Sequence, residues 1–218
     1  MNDTLNGDNS GEEIVSDGTA AHYFLAKGYK YRDKVDHFDD RANKARWQDY
    51  VYATAHRVLT QNHGLTVLDI GCGSGFKLMK YFSGFETIGI ERSETVPMLQ
   101  ATYPERKWLT AEDNDTPFPP ADIYICSDVI EHIRHPDRFL ARIAASPFQN
   151  IVISTPAREV LFADGRREFL NPPENKHHHF EWTMGEFQKF ICQYFYIQDH
   201  FFNYNGEYTQ IVIARQKG

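Results

Sequence analysis

The chain has 218 residues, 41% of them hydrophobic and 24% charged, a composition that excludes a largely disordered protein. Its 23 Lys and Arg stand against 30 Asp and Glu, and the net charge of −7 disfavours nucleic-acid binding through a broadly basic surface. Cys72, Cys126 and Cys192 are widely spaced with no C-x-x-C pair, which argues against a disulfide framework or a zinc knuckle. No apolar run reaches the roughly 18 residues of a membrane span, and the start lacks the pattern of a secretory signal. A soluble, cytoplasmic, globular protein is expected.

Residues 1–20 carry Asp3, Asp8, Glu12, Glu13 and Asp17 with no Lys or Arg, and read as a disordered acidic tail. Residues 21–60 read as an N-terminal helical segment. There Trp47, Tyr50, Val51, Thr54 and Val58 recur mostly at three- and four-residue spacing, which predicts an amphipathic helix over Asp40–Leu59. Residues 61–218 form the main domain. Its predicted strands are Thr66–Ile70, Glu86–Glu91, Lys107–Leu109, Ala121–Ser127 and Asn150–Thr155. Helices are expected over Phe76–Phe82, from a cap at Ser93 through Leu99, and over Asp137–Ala145. This alternation predicts parallel βαβ units with helices on both faces of a sheet. Phe195–Phe201 and Thr209–Ala214, separated by Asn203, Asn205 and Gly206, predict an antiparallel hairpin at the C-terminal edge.

The segment Asp69-Ile70-Gly71-Cys72-Gly73-Ser74-Gly75 runs from a strand through three alternate glycines into a helix. Glycines there let the backbone turn tightly and approach a ligand closely. A dinucleotide fingerprint needs G-x-G-x-x-G, whereas here Phe76 takes the position of the third glycine. Asp69, two residues before Gly71, suits a cationic ammonium group and opposes a pyrophosphate. Both features argue against an NAD-dependent oxidoreductase. Glu91 could hold a ribose diol and does not discriminate, because either ligand has one.

Asp69-x-Gly71-x-Gly73-x-Gly75 and Glu91 resemble the first two motifs of the class I S-adenosylmethionine-dependent methyltransferases. Glu112-Asp113, ahead of Pro117-Phe118, is similar to that family's adenine-contacting acidic loop. Ser127-Asp128-Val129-Ile130-Glu131-His132 resembles its next motif, and Ile151–Pro156 its fifth strand. The resemblance implies a Rossmann-like fold: a mostly parallel seven-stranded sheet with a C-terminal antiparallel hairpin. It implies S-adenosyl-L-methionine as cofactor and S-adenosyl-L-homocysteine as product. Asp69, Gly71, Cys72, Gly73 and Gly75 would hold the methionine part, Glu91 the ribose, and Glu112 and Asp113 the adenine. Arg92, Ser127 and Asp128 complete the expected cofactor-binding set.

Methyl transfer to a hydroxyl needs a base, and histidine titrates near the working pH. Asn175-Lys176-His177-His178-His179-Phe180-Glu181-Trp182, on a long loop after the fifth strand, resembles a stretch of small-molecule O-methyltransferases of ubiquinone biosynthesis and of sugar and polysaccharide modification. By that likeness His177 or His178 is the base and Glu181 orients it or its loop. A His/His/Glu metal site is the alternative, disfavoured because consecutive residues point in different directions. His132 and His135 could also face the pocket, although His132 is expected instead to cap or pack at the start of a helical turn. Tyr23, Tyr29, Tyr31, Phe38 and Trp47 either form a lid over a planar or sugar-like acceptor or pack the added segments. Lys27, Lys30, Arg32 and Lys34 either meet an anionic acceptor or form a solvated face.

The expected activity is therefore methyl transfer to a hydroxyl of a small molecule, such as a sugar or polysaccharide precursor. Alternatives are a methyltransferase acting on protein or RNA, or a non-catalytic cofactor-binding partner subunit. The sequence does not specify the oligomeric state.

Overall fold

The structure, a computed structural model, describes residues 17–37, 42, 47–111, 116–161, 170–203 and 208–217. Its strands are β1 (Thr66–Ile70), β2 (Glu86–Glu91), β3 (Lys107–Thr110), β4 (Ala121–Ser127), β5 (Phe148–Pro156), β6 (Phe195–Asn203) and β7 (Thr209–Gln216). They form one seven-stranded sheet in the order β3-β2-β1-β4-β5-β7-β6. In β1, Leu68 pairs in parallel with Ile88 of β2 on one side and Tyr124 of β4 on the other. The chain winds outward from β1 to β3 and then returns past its start to β4. The strand order thus reverses between β1 and β4, and sheets of this kind bind ligands in the crevice at the strand ends beside such a switch point.

β7 alone runs against its neighbours, pairing antiparallel with both β5 and β6. The expected hairpin forms, with its second arm inserted next to β5 and its first arm at the sheet edge. Burial explains this order. Ile211, Val212, Ile213 and Ala214 are buried and suit an interior strand covered on both faces, whereas β6 exposes Tyr196, Gln198 and Asp199. A bulge between Ile197 and Asp199 breaks the regular edge.

Helices α1 (Asp17–His22), α2 (Asp49–Gln61), α3 (Phe76–Phe82), α4 (Val96–Thr102), α5 (Pro136–Ala144), α6 (Arg158–Leu161) and α7 (Met184–Ile191) surround the sheet. Strand residues alternate between two cores. Leu68, Tyr124, Ile151 and Ile153 pack on one face with Ile143, Trp182 and Phe187. Val67, Ile123, Ile125 and Val152 pack on the other with Tyr52, Leu59, Leu78 and Leu99. Helices therefore cover both faces, as the alternation predicts.

Three local expectations change. Helix α2 begins at Asp49, because Gln48 adopts a left-handed conformation (φ 70°) through which a right-handed helix cannot propagate. Ser93 does not cap α4. Thr95 N–H bonds to the Arg92 carbonyl in a turn, and the helix starts at Val96 with Pro97 in its first turn. Helix α1 crosses the boundary drawn at residue 20, and Ala20 is buried; residues 1–16 lie outside the described residues.

Candidate active site

The β1–α3 loop makes a cradle. Asp69 is fully buried near the end of β1, and the Tyr52 hydroxyl on α2 donates to its Oδ2 at 2.8 Å. Gly71 has φ 76°, and a Cβ there would stand 2.5 Å from Val129 Cγ2 in the loop after β4. Gly75 has φ 70°, and its Cβ would meet Leu99 and Trp108 at 3.0 Å. Both the conformation and the close approach exclude a side chain at these two positions. Gly73 N–H donates to Glu91 Oε2 at 2.9 Å and Arg92 N–H to Oε1 at 2.8 Å. Each Glu91 oxygen keeps a lone pair for a further donor.

The other expected cofactor residues divide. Cys72 is buried, with its sulfur against Gly89 of β2, so it meets the loop through its backbone. The Arg92 side chain is exposed and pairs with Glu94 at 3.1 Å. Ser127 Oγ lies 3.2 Å from Ser154 Oγ, and the Ser127 carbonyl accepts from Gln48 Nε2 at 3.1 Å. Asp128 has φ 52°, a conformation aspartate tolerates better than most residues, and its Oδ1 accepts from Ser154 Oγ at 2.6 Å. Burial raises the pKa of its carboxyl. Glu112 and Asp113 lie outside the described residues.

Beside Asp128, a 3-10 turn over Ile130–His132 carries Glu131 and His132 towards the histidine loop. Glu131 is fully buried, and its Oε2 accepts from Thr155 Oγ1 at 3.0 Å. Burial, with Asp128 nearby, pushes its carboxyl well above the usual carboxylate range. The His132 ring stands edge-on to that of His178, centroids 4.8 Å apart. Burial, with the His178 ring close by, holds its pKa down at about 3, so it is neutral near pH 7.

The three consecutive histidines point differently. His177 Nδ1 lies 2.8 Å from the Asp36 carbonyl and His179 Nδ1 lies 2.6 Å from the Arg32 carbonyl. His178 meets a carboxylate: its Nδ1 is 2.9 Å from Glu181 Oε1, and its Nε2 is 2.9 Å from Asn175 Nδ2. A carboxylate accepts, so Nδ1 carries the hydrogen and Nε2 the lone pair. His178 and Glu181 are both buried.

A strap explains how a polar loop keeps this arrangement. Lys30 N–H bonds to the Leu170 carbonyl at 2.9 Å, Arg32 N–H to His179 at 3.2 Å, and Asp36 N–H to Lys176 at 3.2 Å. Arg32 Nε adds a bond to the Pro173 carbonyl at 2.9 Å. Tyr29 lies under the Arg158 guanidinium, 4.3 Å from its ring centroid, and its hydroxyl accepts from Glu181 N–H at 3.1 Å. Tyr23 packs edge-on against Phe180, centroids 5.0 Å apart. Of the aromatic set, Tyr23 and Tyr29 are buried, Trp47 is exposed, and Phe38 lies outside the described residues.

Sequence reasoning gave no role to Tyr52, Gln48, Ser154 or Thr155, since nothing in their spacing marks them as pocket residues. Glu131 was visible only within the Ser127–His132 motif. Arg158 was not visible either: it is fully buried, pairs with Glu186 at 2.6 Å and donates to the Glu181 carbonyl at 3.0 Å.

A family of proteins described as methyltransferase domain matches residues 31–201. No curated protein matches the sequence. Magnesium protoporphyrin IX methyltransferase from Synechocystis PCC 6803, solved with bound SAH, has TM-score 0.59 and 17% identity, over 78% of this chain and 84% of that one. The methyltransferase domain of bacterial CtHen1-C has TM-score 0.59 and 20% identity, over 78% and 99%. The [4+2]-cyclase SpnF has TM-score 0.63 and 14% identity, over 84% and 85%. At such identities the likeness shows a shared fold. The family match spans most of the chain, and the chain belongs to the methyltransferase-domain family, as a class I S-adenosylmethionine-dependent methyltransferase.

Proposed function

We propose that the chain transfers the methyl group of S-adenosyl-L-methionine to a hydroxyl oxygen of a small molecule, such as a sugar or polysaccharide precursor. The observation that carries this reading is the buried His178–Glu181 pair, one loop away from the glycine cradle through Val129, Glu131 and His132. The cradle fits the cofactor. Gly71 and Gly75 leave the backbone bare where a Cβ would collide, and Glu91 has lone pairs to spare for a ribose diol. Asp69 offers a buried carboxylate, already steadied by Tyr52, to an ammonium group. Arg92, Ser127 and Asp128 border this site, and Glu112 and Asp113 retain their proposed adenine role.

The cofactor supplies a methyl group already activated by positive charge on sulfur. The chain's own task is to align an acceptor and remove its proton. His178 Nε2 takes that proton once Asn175 gives way, while Glu181 fixes the tautomer and stabilises the imidazolium. The oxygen–methyl bond forms as the sulfur–methyl bond breaks, leaving S-adenosyl-L-homocysteine. His177 is the less suited imidazole, since its Nδ1 is committed to the Asp36 carbonyl at the strap. Calorimetric titration with S-adenosyl-L-homocysteine, with NAD as the control, tests the cofactor. Micromolar binding of the first and none of the second is the expected result.

A further inference from the structure

Glu131, His132 and His178 bring a carboxylate oxygen and two imidazole nitrogens within 4.8 Å of one another. They come from two loops, one after β4 and one before α7, so this proximity is a product of folding. Each imidazole is held from behind. His132 Nδ1 lies 2.8 Å from the His177 carbonyl, which can only accept, so the ring's lone pair is on Nε2. His178 donates from Nδ1 to Glu181 at 2.9 Å and likewise keeps its lone pair on Nε2. Histidines that ligate metals are oriented in this way, with the far N–H given to a carbonyl or a carboxylate.

Glu131 supplies a second, independent indication. Its side chain is fully buried, and its Oε1 has no hydrogen-bond partner among the described residues. A buried carboxylate oxygen left unpaired is costly unless a cation meets it. Asp128 and Glu181 add two more carboxyl groups whose charge acts on Glu131. Lys77 acts on Asp128, and Arg158 is engaged by Glu186. The cluster therefore gathers three carboxyl groups, those of Glu131, Asp128 and Glu181, around two imidazoles.

We propose that Glu131, His132 and His178 bind one divalent transition-metal ion, such as Mn²⁺, Co²⁺ or Zn²⁺, at the acceptor end of the crevice. Two imidazoles with one carboxylate favour these ions over Mg²⁺ and Ca²⁺, which prefer all-oxygen surroundings. Three protein ligands leave coordination positions open for an acceptor oxygen. The inference rests on the methyl-transfer reading and refines its proton step. An acceptor hydroxyl bound to the ion loses its proton to solvent, and its oxygen then takes the methyl group as the sulfur–methyl bond breaks. His178 serves as a ligand in place of a base, and the Asn175 amide moves off Nε2.

The test is calorimetric titration of chelator-treated, dialysed full-length protein with MnCl₂, CoCl₂ and ZnCl₂, with MgCl₂ as the control. S-adenosyl-L-homocysteine is titrated in the same samples. The expected result is one Mn²⁺ or Zn²⁺ per chain, weakened at least about tenfold in Glu131→Gln and in His132→Ala, while product binding persists without metal. Folding of each variant is checked by thermal unfolding. Absence of Mn²⁺, Co²⁺ and Zn²⁺ binding to the wild-type protein overturns the site, as does binding that both variants retain unchanged. Product binding that survives in that case leaves methyl transfer with His178 as base standing. Metal binding without product binding overturns the methyl-transfer reading and, with it, the assigned role of the ion.

Discussion

The Tyr52 hydroxyl, from the middle of α2, reaches 2.8 Å to Asp69 at the end of β1 and ties the N-terminal helix to the glycine cradle. Both residues are buried, so the bond is shielded from competing water. Asp69→Ala should abolish S-adenosyl-L-homocysteine binding. Tyr52→Phe should weaken it by about tenfold, since hydrogen bonds to charged groups contribute on the order of 1.5–3 kcal/mol. Calorimetric titration of both variants checks this, and unchanged affinity in Tyr52→Phe would remove the positioning role.

His178→Ala should leave product binding intact and slow turnover by about 10²–10⁴-fold, whether the imidazole takes a proton or holds a cation. His177→Ala should reduce turnover far less, because that ring is bonded to the Asp36 carbonyl. Single-turnover assays with an identified acceptor measure both. Equal losses in the two variants would contradict the division of labour among the three histidines.

Gly71→Ala should destabilise the fold by about 1–3 kcal/mol, because alanine is strained at positive φ and its Cβ collides with Val129. Adding Val129→Ala should recover part of the loss and leave the backbone strain. Denaturant unfolding of the single and double variants separates the two contributions, and no recovery would mean that Val129 is not the obstacle.

Arg158 is fully buried and shares both of its Glu186 contacts with α7, at 2.6 and 2.7 Å. Removing one partner leaves an uncompensated buried charge. Arg158→Ala is therefore expected to cost about 3–5 kcal/mol in urea unfolding. A loss below about 1 kcal/mol would place the pair in the weak class of surface ion pairs.

His200, on β6, lies 3.0 Å from Gln210 Oε1, and burial lowers its pKa. Below pH 6.5 the unfolded chain then binds more protons at this position than the folded one, so stability falls as pH drops. Unfolding free energies at pH 7 and pH 5 should differ less in His200→Asn than in the wild-type protein. The same slope in both would remove His200 as the cause.

Much of the fold was legible because strands and glycines are local signals. Thr66–Ile70, Glu86–Glu91 and Ala121–Ser127 appear as strands within the expected bounds, and Phe76–Phe82 as a helix. Less legible were features set by distant partners. The start of α2 depends on the left-handed Gln48, whose amide is bonded to the Ser127 carbonyl, and the edge position of β6 depends on which hairpin arm β5 accepts.

The candidate site divides in the same way. The spacing of Asp69, Gly71, Gly73 and Gly75 with Glu91 was readable because cradle and ribose acid lie on adjacent strands, each defined by its own short motif. The sequence by itself determined the strand–glycine–helix cradle and a histidine-rich loop. Only the tertiary structure decided which histidine turns inward. That choice follows from the strap, since the backbone carbonyls of Asp36 and Arg32 engage His177 and His179, while Glu181 receives His178. Nor could spacing bring Glu131 and His132 to His178, because hydrogen bonds between segments more than a hundred residues apart hold that loop in place.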